Sequence, residues 1–297
     1  MQSALIKTNF KNQTSFEKQV GENFIYFRLQ GNLGNQLFGL SDAFSLHKRF
    51  DRQIAVDISH VIAAGFPVPE WTQLIANWDW IQVILNESLD LDVTIASMSR
   101  MTESESRINQ VFYNGFRPSI EQIELSGLFT RGVFPFDKAI DQNLEGNEIA
   151  LSIRLGDYQQ NPHFGILPVE YYKKAITRFN DLDNPKYVIF SDDLPAAKKY
   201  LEKTKIEISR EIGGKSNLSI LQSLSTAKYV ISSNSTFSFW GAFFSKGIVV
   251  FPDPFFLAEP NWHKGLLWES AREVRHTALP KIRYFLRLVK TYRSRHR

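Results

Sequence analysis

The chain has 297 residues, 43% of them hydrophobic, and no cysteine. It is long enough to bury its own core, and disulfide frameworks, thiolate metal sites and cysteine nucleophiles are excluded. The formal charge is +4, but the last stretch, "KIRYFLRLVKTYRSRHR" (281–297), holds seven Lys/Arg and no acid, which leaves the rest at −3 and argues against a uniformly basic nucleic-acid surface.

No run of about 18 apolar residues occurs, and the chain does not open on a basic segment followed by an apolar one. Neither a membrane span nor secretion is expected, and the expected location is cytoplasmic. The absence of cysteine fits a reducing compartment.

In chain order, the first strand is expected at Phe24 to Leu29, followed by "GNLGNQLF" (31–38) and a helical pattern from Leu37. Glycine-freed amides at a helix start suit a phosphate or carboxylate, and asparagine adds uncharged donors. The spacing matches neither the dinucleotide fingerprint nor a P-loop, so a plain strand-to-helix turn explains it as well.

Residues 60–145 show little alternation and read as the helical, aromatic second half of an N-terminal domain. Trp71, Trp78 and Trp80 there are expected to fill core rather than stack on sugars. The turn "NLEGN" (143–147) marks a boundary, giving domains 1–146 and 147–297.

Beyond it, short apolar strands at Glu148 to Arg154, Lys186 to Ser191, Lys228 to Ser233 and Gly247 to Phe251 alternate with helical patterns. The helices are expected at 169–179, after Pro168, at 195–203 and at 219–227. Such alternation means an α/β fold whose parallel sheet is covered on both faces, with ligand loops at the carboxyl ends of its strands.

Those ends carry the chemistry. In "SIRLGDY" (152–158), Arg154 finishes a buried strand, and its planar fork suits a diphosphate or a carboxylate; a structural pair with Asp157 is the alternative. In "YVIFSDDL" (187–194), Asp192 and Asp193 can meet a ribose or a purine edge, or one of them can cap the helix that follows. A metal there is not expected, since no third ligand stands nearby. In "SSNSTFSFWGAFFS" (232–245), hydroxyls and amides run into a helix faced by Phe239, Trp240, Phe243 and Phe244, and can cradle phosphate oxygens or simply cap. Together the loops describe a site for a nucleoside diphosphate sugar. The basic tail suits anionic lipid, though a closing helix with a solvated end accounts for it equally.

"GNLGNQLFG", "SIRLGDY" with "GILPVEYYKKAI", "FSDD" and "ISSNSTFSFWGA" stand in the order and approximate spacing of the α-1,2-fucosyltransferase family, which the chain resembles over roughly residues 24–256. The resemblance implies a GT-B fold, two Rossmann-like domains facing a cleft. It implies transfer of L-fucose from GDP-β-L-fucose to a galactoside with inversion and without metal or cofactor, in surface polysaccharide synthesis.

Carried over, it places Arg154 on the donor β-phosphate, Asn32, Gly34 and Asn35 at the donor-facing cleft, Asp192 or Asp193 near the guanosine, and Ser235, Thr236 and Phe237 around the diphosphate. Asp157 is the candidate base or acceptor-positioning group, and His163 lies near enough to the arginine motif to be worth testing. The partners the resemblance implies are a GDP-sugar and a glycan acceptor; the charge distribution adds that no nucleic acid is expected and, as one of the two readings of the basic tail, a peripheral contact with the inner face of the membrane.

The family's usual His-x-Arg-Arg-Gly-Asp reads Ser152-Ile153-Arg154-Leu155-Gly156-Asp157 here, and its tryptophan pair reads Phe239-Trp240. Another GDP-sugar, or a relative that binds without catalysis, stays open on these departures.

Overall fold

The structure is a computed structural model, described for residues 24–65, 71–74, 78–84, 93–95, 111–113, 123, 126–130, 133–136, 143–159, 166–213, 216–253 and 270–274. It divides into two compact units, one up to Phe129 and one from Thr130. His163 and the basic tail (281–297) lie outside the described residues.

The first unit holds a parallel sheet in the order β3-β2-β1-β5-β4. Its strands are β1 (Phe24–Arg28), β2 (Gln53–Asp57), β3 (Ile81–Ile84), β4 (Val93–Ile95) and β5 (Val111–Tyr113). The middle of the chain, expected to be largely helical, therefore supplies three strands. They are three or four residues long, too short to display the period of two by which a strand is read.

Helix α1 (Leu33–Phe50) links β1 to β2, with His47, Lys48 and Arg49 in its last turn, where cations suit the helix dipole, and the short helices α2 (Ser59–Ala63) and α3 (Trp71–Leu74) follow β2. Gly39 faces β1 so closely that a Cβ there would stand 2.4 Å from Leu29 Cδ2. Trp71 and Trp80 are buried core, as expected, and Trp78 stacks on Trp80 with ring centroids 5.6 Å apart.

The second unit holds a sheet in the order β11-β10-β9-β6-β7-β8. The strands are β6 (Glu148–Ile153), β7 (Lys186–Ser191), β8 (Ile208–Ile212), β9 (Tyr229–Ile231), β10 (Ile248–Asp253) and β11 (Ser270–Val274). All pairs are parallel except β10 with β11.

The helices α4 (Val169–Ile176), α5 (Leu194–Leu201), α6 (Asn217–Thr226) and α7 (Thr236–Phe244) match the expected positions within a few residues. Ile149, Leu151 and Ile153 of β6 join Tyr171, Tyr172 and Ala175 of α4 and Ala197 and Leu201 of α5 in one core. The alternate residues Ala150 and Ser152 point to the opposite face, as strand period requires, and are also buried.

Helices α6 and α7 approach closely at Gly241, where a Cβ would stand 2.2 Å from Leu224 Cδ2. Among the described residues no helix is long and apolar enough to cross a membrane.

The order of the second sheet has a functional consequence. From β6 the chain adds β7 and β8 on one side, then returns to lay β9 against the other side of β6. Loops leaving β6 and β9 diverge there, and in open α/β sheets this reversal is where a crevice forms for ligands. In the first unit the same reversal falls between β1 and β5.

Candidate functional site

Three neighbouring strands, β9, β6 and β7, deliver their carboxyl-end loops side by side. Arg154 follows β6, Asp192 follows β7 and Ser232 to Ser235 follow β9. The pairing of Ile153 with Ser191 puts residue 192 beside residue 154, although 38 positions separate them.

Arg154 is held in a carboxylate fork. Its Nη1 lies 2.9 Å from Asp192 Oδ2, and its Nη2 donates to Asp157 Oδ1 at 2.5 Å. Asp192 is itself tied down, since its Oδ1 accepts the Leu155 N–H at 3.1 Å. Gly156 lets that carboxylate lie flush on the backbone, because a Cβ there would stand 2.2 Å from Asp192 Oδ2. A glycine is required here for space rather than for an unusual dihedral angle.

Tyr158 closes one side, with the guanidinium carbon 5.1 Å from its ring centroid, within reach of a cation–π attraction. The guanidinium Nε is buried and has no hydrogen-bond partner among the described residues. One cation thus faces two carboxylates, and the cluster carries a formal charge of −1.

Asp157 pairs with Arg154, as its spacing suggested. Of the two consecutive aspartates, Asp193 is the cap: its Oδ1 accepts the Ala196 N–H at 3.0 Å at the start of α5. Asp192 is left for the arginine, and this contact was not legible in the sequence, nor was the stacking of Tyr158.

On the other side of β6 lies a set of buried hydroxyls. Ser152 Oγ is 3.4 Å from Ser233 Oγ, which is 3.3 Å from Ser235 Oγ. Ser232 Oγ and Ser238 Oγ meet at 2.8 Å, and Ser238 Oγ also accepts the Ser233 N–H at 3.0 Å.

Ser235 is the N-cap of α7 and accepts the Ser238 N–H at 3.1 Å. Thr236 and Phe237 open that helix, half-buried, and their N–H groups fall outside the intrahelical ladder. The hydroxyl loop is therefore both a cap and an array of donors at a helix N-terminus, where negative charge is favoured.

The frame beneath is fixed by two tyrosines of α4. Tyr171 Oη donates to the carbonyl of Ser232 at 2.7 Å, and Tyr172 Oη donates to the carbonyl of Ser152 at 3.2 Å, so one helix anchors the ends of both β9 and β6.

Burial pushes the Tyr171 and Tyr172 phenols well above the usual tyrosine range. Burial also pushes Tyr158 up to about 12; Arg154 opposes the rise, while Asp157 and Asp192 add to it. Tyr200, which donates to the Leu167 carbonyl, rises to about 12 through burial and then Glu170.

These phenols are neutral in the fold and titrate near 10 when unfolded. For Tyr158 and Tyr200 the contribution is whole below pH 10 and is lost as pH rises from 10 through about 12. Urea unfolding at pH 8 and pH 11 is expected to show lower stability at the higher pH, with a smaller difference in Tyr158→Phe and Tyr200→Phe; equal stability of the parent protein at both pH values would contradict this.

In the first unit, Asn32 occupies the N-cap position of α1, and its side chain makes no capping bond. Its carbonyl accepts the N–H groups of Asn35 at 2.9 Å and Gln36 at 3.1 Å. Gly34 is buried in the first turn, and Asn32 and Asn35 are half-buried. Gly31 takes a φ of 71°, which a glycine adopts without strain.

Gln36 does the local structural work of this loop: its Nε2 donates to the Gly31 carbonyl at 2.8 Å and its Oε1 accepts from Trp71 Nε1 at 2.8 Å. At the neighbouring strand ends, Arg28 Nε donates to the buried Asp57 at 2.9 Å. Neither residue stands out in the sequence. Arg154, Asp157, Asp192, Ser235, Thr236 and Phe237 belong to the second unit, and Asn32, Gly34 and Asn35 to the first.

Comparison with known proteins agrees with this architecture. Two Escherichia coli relatives match: the O-antigen biosynthesis glycosyltransferase WbnK, 34% identical over 130 residues, and an alpha-1,2-colitosyltransferase, 33% identical over 126 residues. The matched stretches cover 41% and 38% of this chain and, in both cases, 42% of the relative's own length.

The solved structure of the fucosyltransferase NodZ from Bradyrhizobium is similar in fold, with a TM-score of 0.51 at 13% identity over 87% of this chain and all of that one. NodZ co-crystallized with GDP gives the same score over 86% of this chain and 99% of that one. The family model described as Glycosyl transferase family 11 matches residues 99–265, more than half of the chain. This chain belongs to glycosyl transferase family 11.

Proposed function

We propose that the protein transfers L-fucose from GDP-β-L-fucose to a hydroxyl of a glycan acceptor, O2 of a galactose, with inversion and without a metal, in the synthesis of a surface polysaccharide. The observation that carries the proposal is Arg154 at the carboxyl end of β6, beside the sheet's reversal, with the hydroxyl loop and the first turn of α7 on the adjoining strand. A departing diphosphate needs fixed positive charge and aligned donors, and a site built this way supplies both. The names of the two relatives support glycan assembly.

In this reading Arg154 takes the β-phosphate, Ser235, Thr236 and Phe237 the remaining diphosphate oxygens, and Asp192 the donor side, while Asp193 keeps to its cap. Asn32, Gly34 and Asn35 belong to the donor-facing edge of the N-terminal half, which also carries the acceptor. The two-lobed arrangement implied by the resemblance, with domains 1–146 and 147–297, is part of the proposal, as is a cytoplasmic enzyme whose basic tail touches the inner face of the membrane.

Thermal-shift measurement with a panel of GDP-sugars, followed by turnover on galactose-terminated oligosaccharides with and without EDTA, tests it. Stabilisation by GDP-fucose and fucosyl transfer unaffected by EDTA are expected. Stabilisation without transfer to any acceptor would instead mean a binding protein, and loss of activity in EDTA would refute metal independence.

A colitosyl donor is the second reading. It is favoured by the relative named a colitosyltransferase, and Ser152 and Leu155 in place of the usual histidine and arginine leave the donor sugar open. Faster turnover with the colitosyl nucleotide than with GDP-fucose would decide for it.

A further inference from the structure

The two carboxylates on Arg154 are not equivalent. Asp192 is the anchored one: its side chain is 25% exposed, one oxygen meets Nη1, the other accepts the Leu155 N–H, and the Gly156 backbone lies directly against it. Asp157 is 55% exposed and meets Nη2 through a single oxygen.

Nη2 and Nε are the two donors along one edge of a guanidinium, the edge that takes a two-oxygen anion side-on. Here Nη2 is engaged, and its neighbour Nε is buried with no acceptor among the described residues. A buried N–H left unpaired is costly, and the ion pair leaves that edge half satisfied.

The charge count points the same way. With both carboxylates in place the cluster is at −1, and an entering diphosphate would add its negative charge next to two others. One carboxylate has to leave, and the exposed, singly bonded one leaves at less cost than the one tied to the backbone.

We propose that Asp157 is a placeholder for a phosphate on the Nε/Nη2 edge of Arg154, displaced when the donor binds, while Asp192 is the positioning residue that holds the guanidinium from Nη1 in both states. This deepens the proposed function and rests on its donor site. It implies an order: until the donor arrives Asp157 is bound to Arg154, and only afterwards is its carboxylate available to an acceptor hydroxyl. A glycan that entered first would find that carboxylate engaged.

The test is calorimetric titration of the full-length protein and its Asp157→Ala and Asp192→Asn variants with inorganic pyrophosphate and, separately, with GDP, together with kcat for transfer. Loss of the placeholder is expected to tighten pyrophosphate and GDP about 3- to 10-fold while kcat falls. Loss of the anchor is expected to weaken both ligands about 10-fold. A merely structural contact would not move affinity and turnover in opposite directions. Circular-dichroism melting checks that Asp192→Asn folds, and Asp157, being exposed, tests the proposal independently.

Pyrophosphate or GDP affinity that falls or stays level in Asp157→Ala overturns the placeholder, and GDP binding by the parent protein then leaves the donor site standing. If pyrophosphate follows the expected order but guanosine adds nothing to its affinity, the placeholder holds and the GDP-sugar reading falls. A parent protein that binds neither ligand ends both.

Discussion

Replacement of Arg154 by alanine is expected to lower kcat/KM for transfer by about 10²- to 10³-fold or more, the loss typical of removing one preorganised donor to a developing negative charge. This side chain is the cation in a cluster otherwise made of carboxylates, hydroxyls and amides. Lysine is expected to restore little, because an ammonium supplies a point charge and cannot serve Asp192 and a phosphate on two separate edges.

The fold should survive the change. The two partners are 55% and 25% exposed, so water can take over their solvation, and the stability cost is about 1 kcal/mol or less. Steady-state kinetics and a melting curve on the same preparation check both halves. Near-normal turnover in the alanine variant would remove Arg154 from the leaving-group site and with it the proposed mechanism.

The second large effect is expected at Gly156, a residue with no functional group. An added Cβ would lie 2.2 Å from Oδ2 and 3.0 Å from Cγ of Asp192. The carboxylate must then turn away, losing Nη1 of Arg154 and the Leu155 N–H together.

Overpacking of this kind costs about 1–3 kcal/mol. If most of it falls on the site, GDP binding and kcat/KM drop about 10-fold or more. A double mutant decides the cause: once Asp192→Ala has removed the side chain, Gly156→Ala should add much less than it costs alone, since both act through one contact. Fully additive losses would show that the alanine acts elsewhere.

The second unit was more legible in the sequence than the first for a physical reason. Strands buried on both faces, such as Glu148–Ile153 and Lys186–Ser191, require near-continuous apolar runs, and these stand out in any reading. The strands Val93–Ile95 and Val111–Tyr113 are three residues long and left no pattern. The edge strand Ile208–Ile212 alternates between half-buried and exposed positions over most of its length and passes for a polar link.

Some local chemistry was legible because its partners are close in the chain, although the stacking of Tyr158 on Arg154, four residues away, was not. Arg154 with Asp157, and an aspartate capping Leu194–Leu201, are interactions over three residues. Gln36 was missed although it sits inside the quoted loop, because its bond to Trp71 spans 35 residues.

The sequence by itself determined an alternating α/β chain, the strand ends at which polar loops emerge, and Arg154 as the cation among them, because hydrophobic period and charge are properties of the residues alone. Which aspartate meets that arginine was decided by tertiary structure: the parallel register of Ile153 against Ser191 carries Asp192 to it, and the missing side chain of Gly156 leaves the space. Strand pairing is a long-range choice, settled by how the sheet buries its faces, and it brings together residues whose separation along the chain gives no sign of their contact.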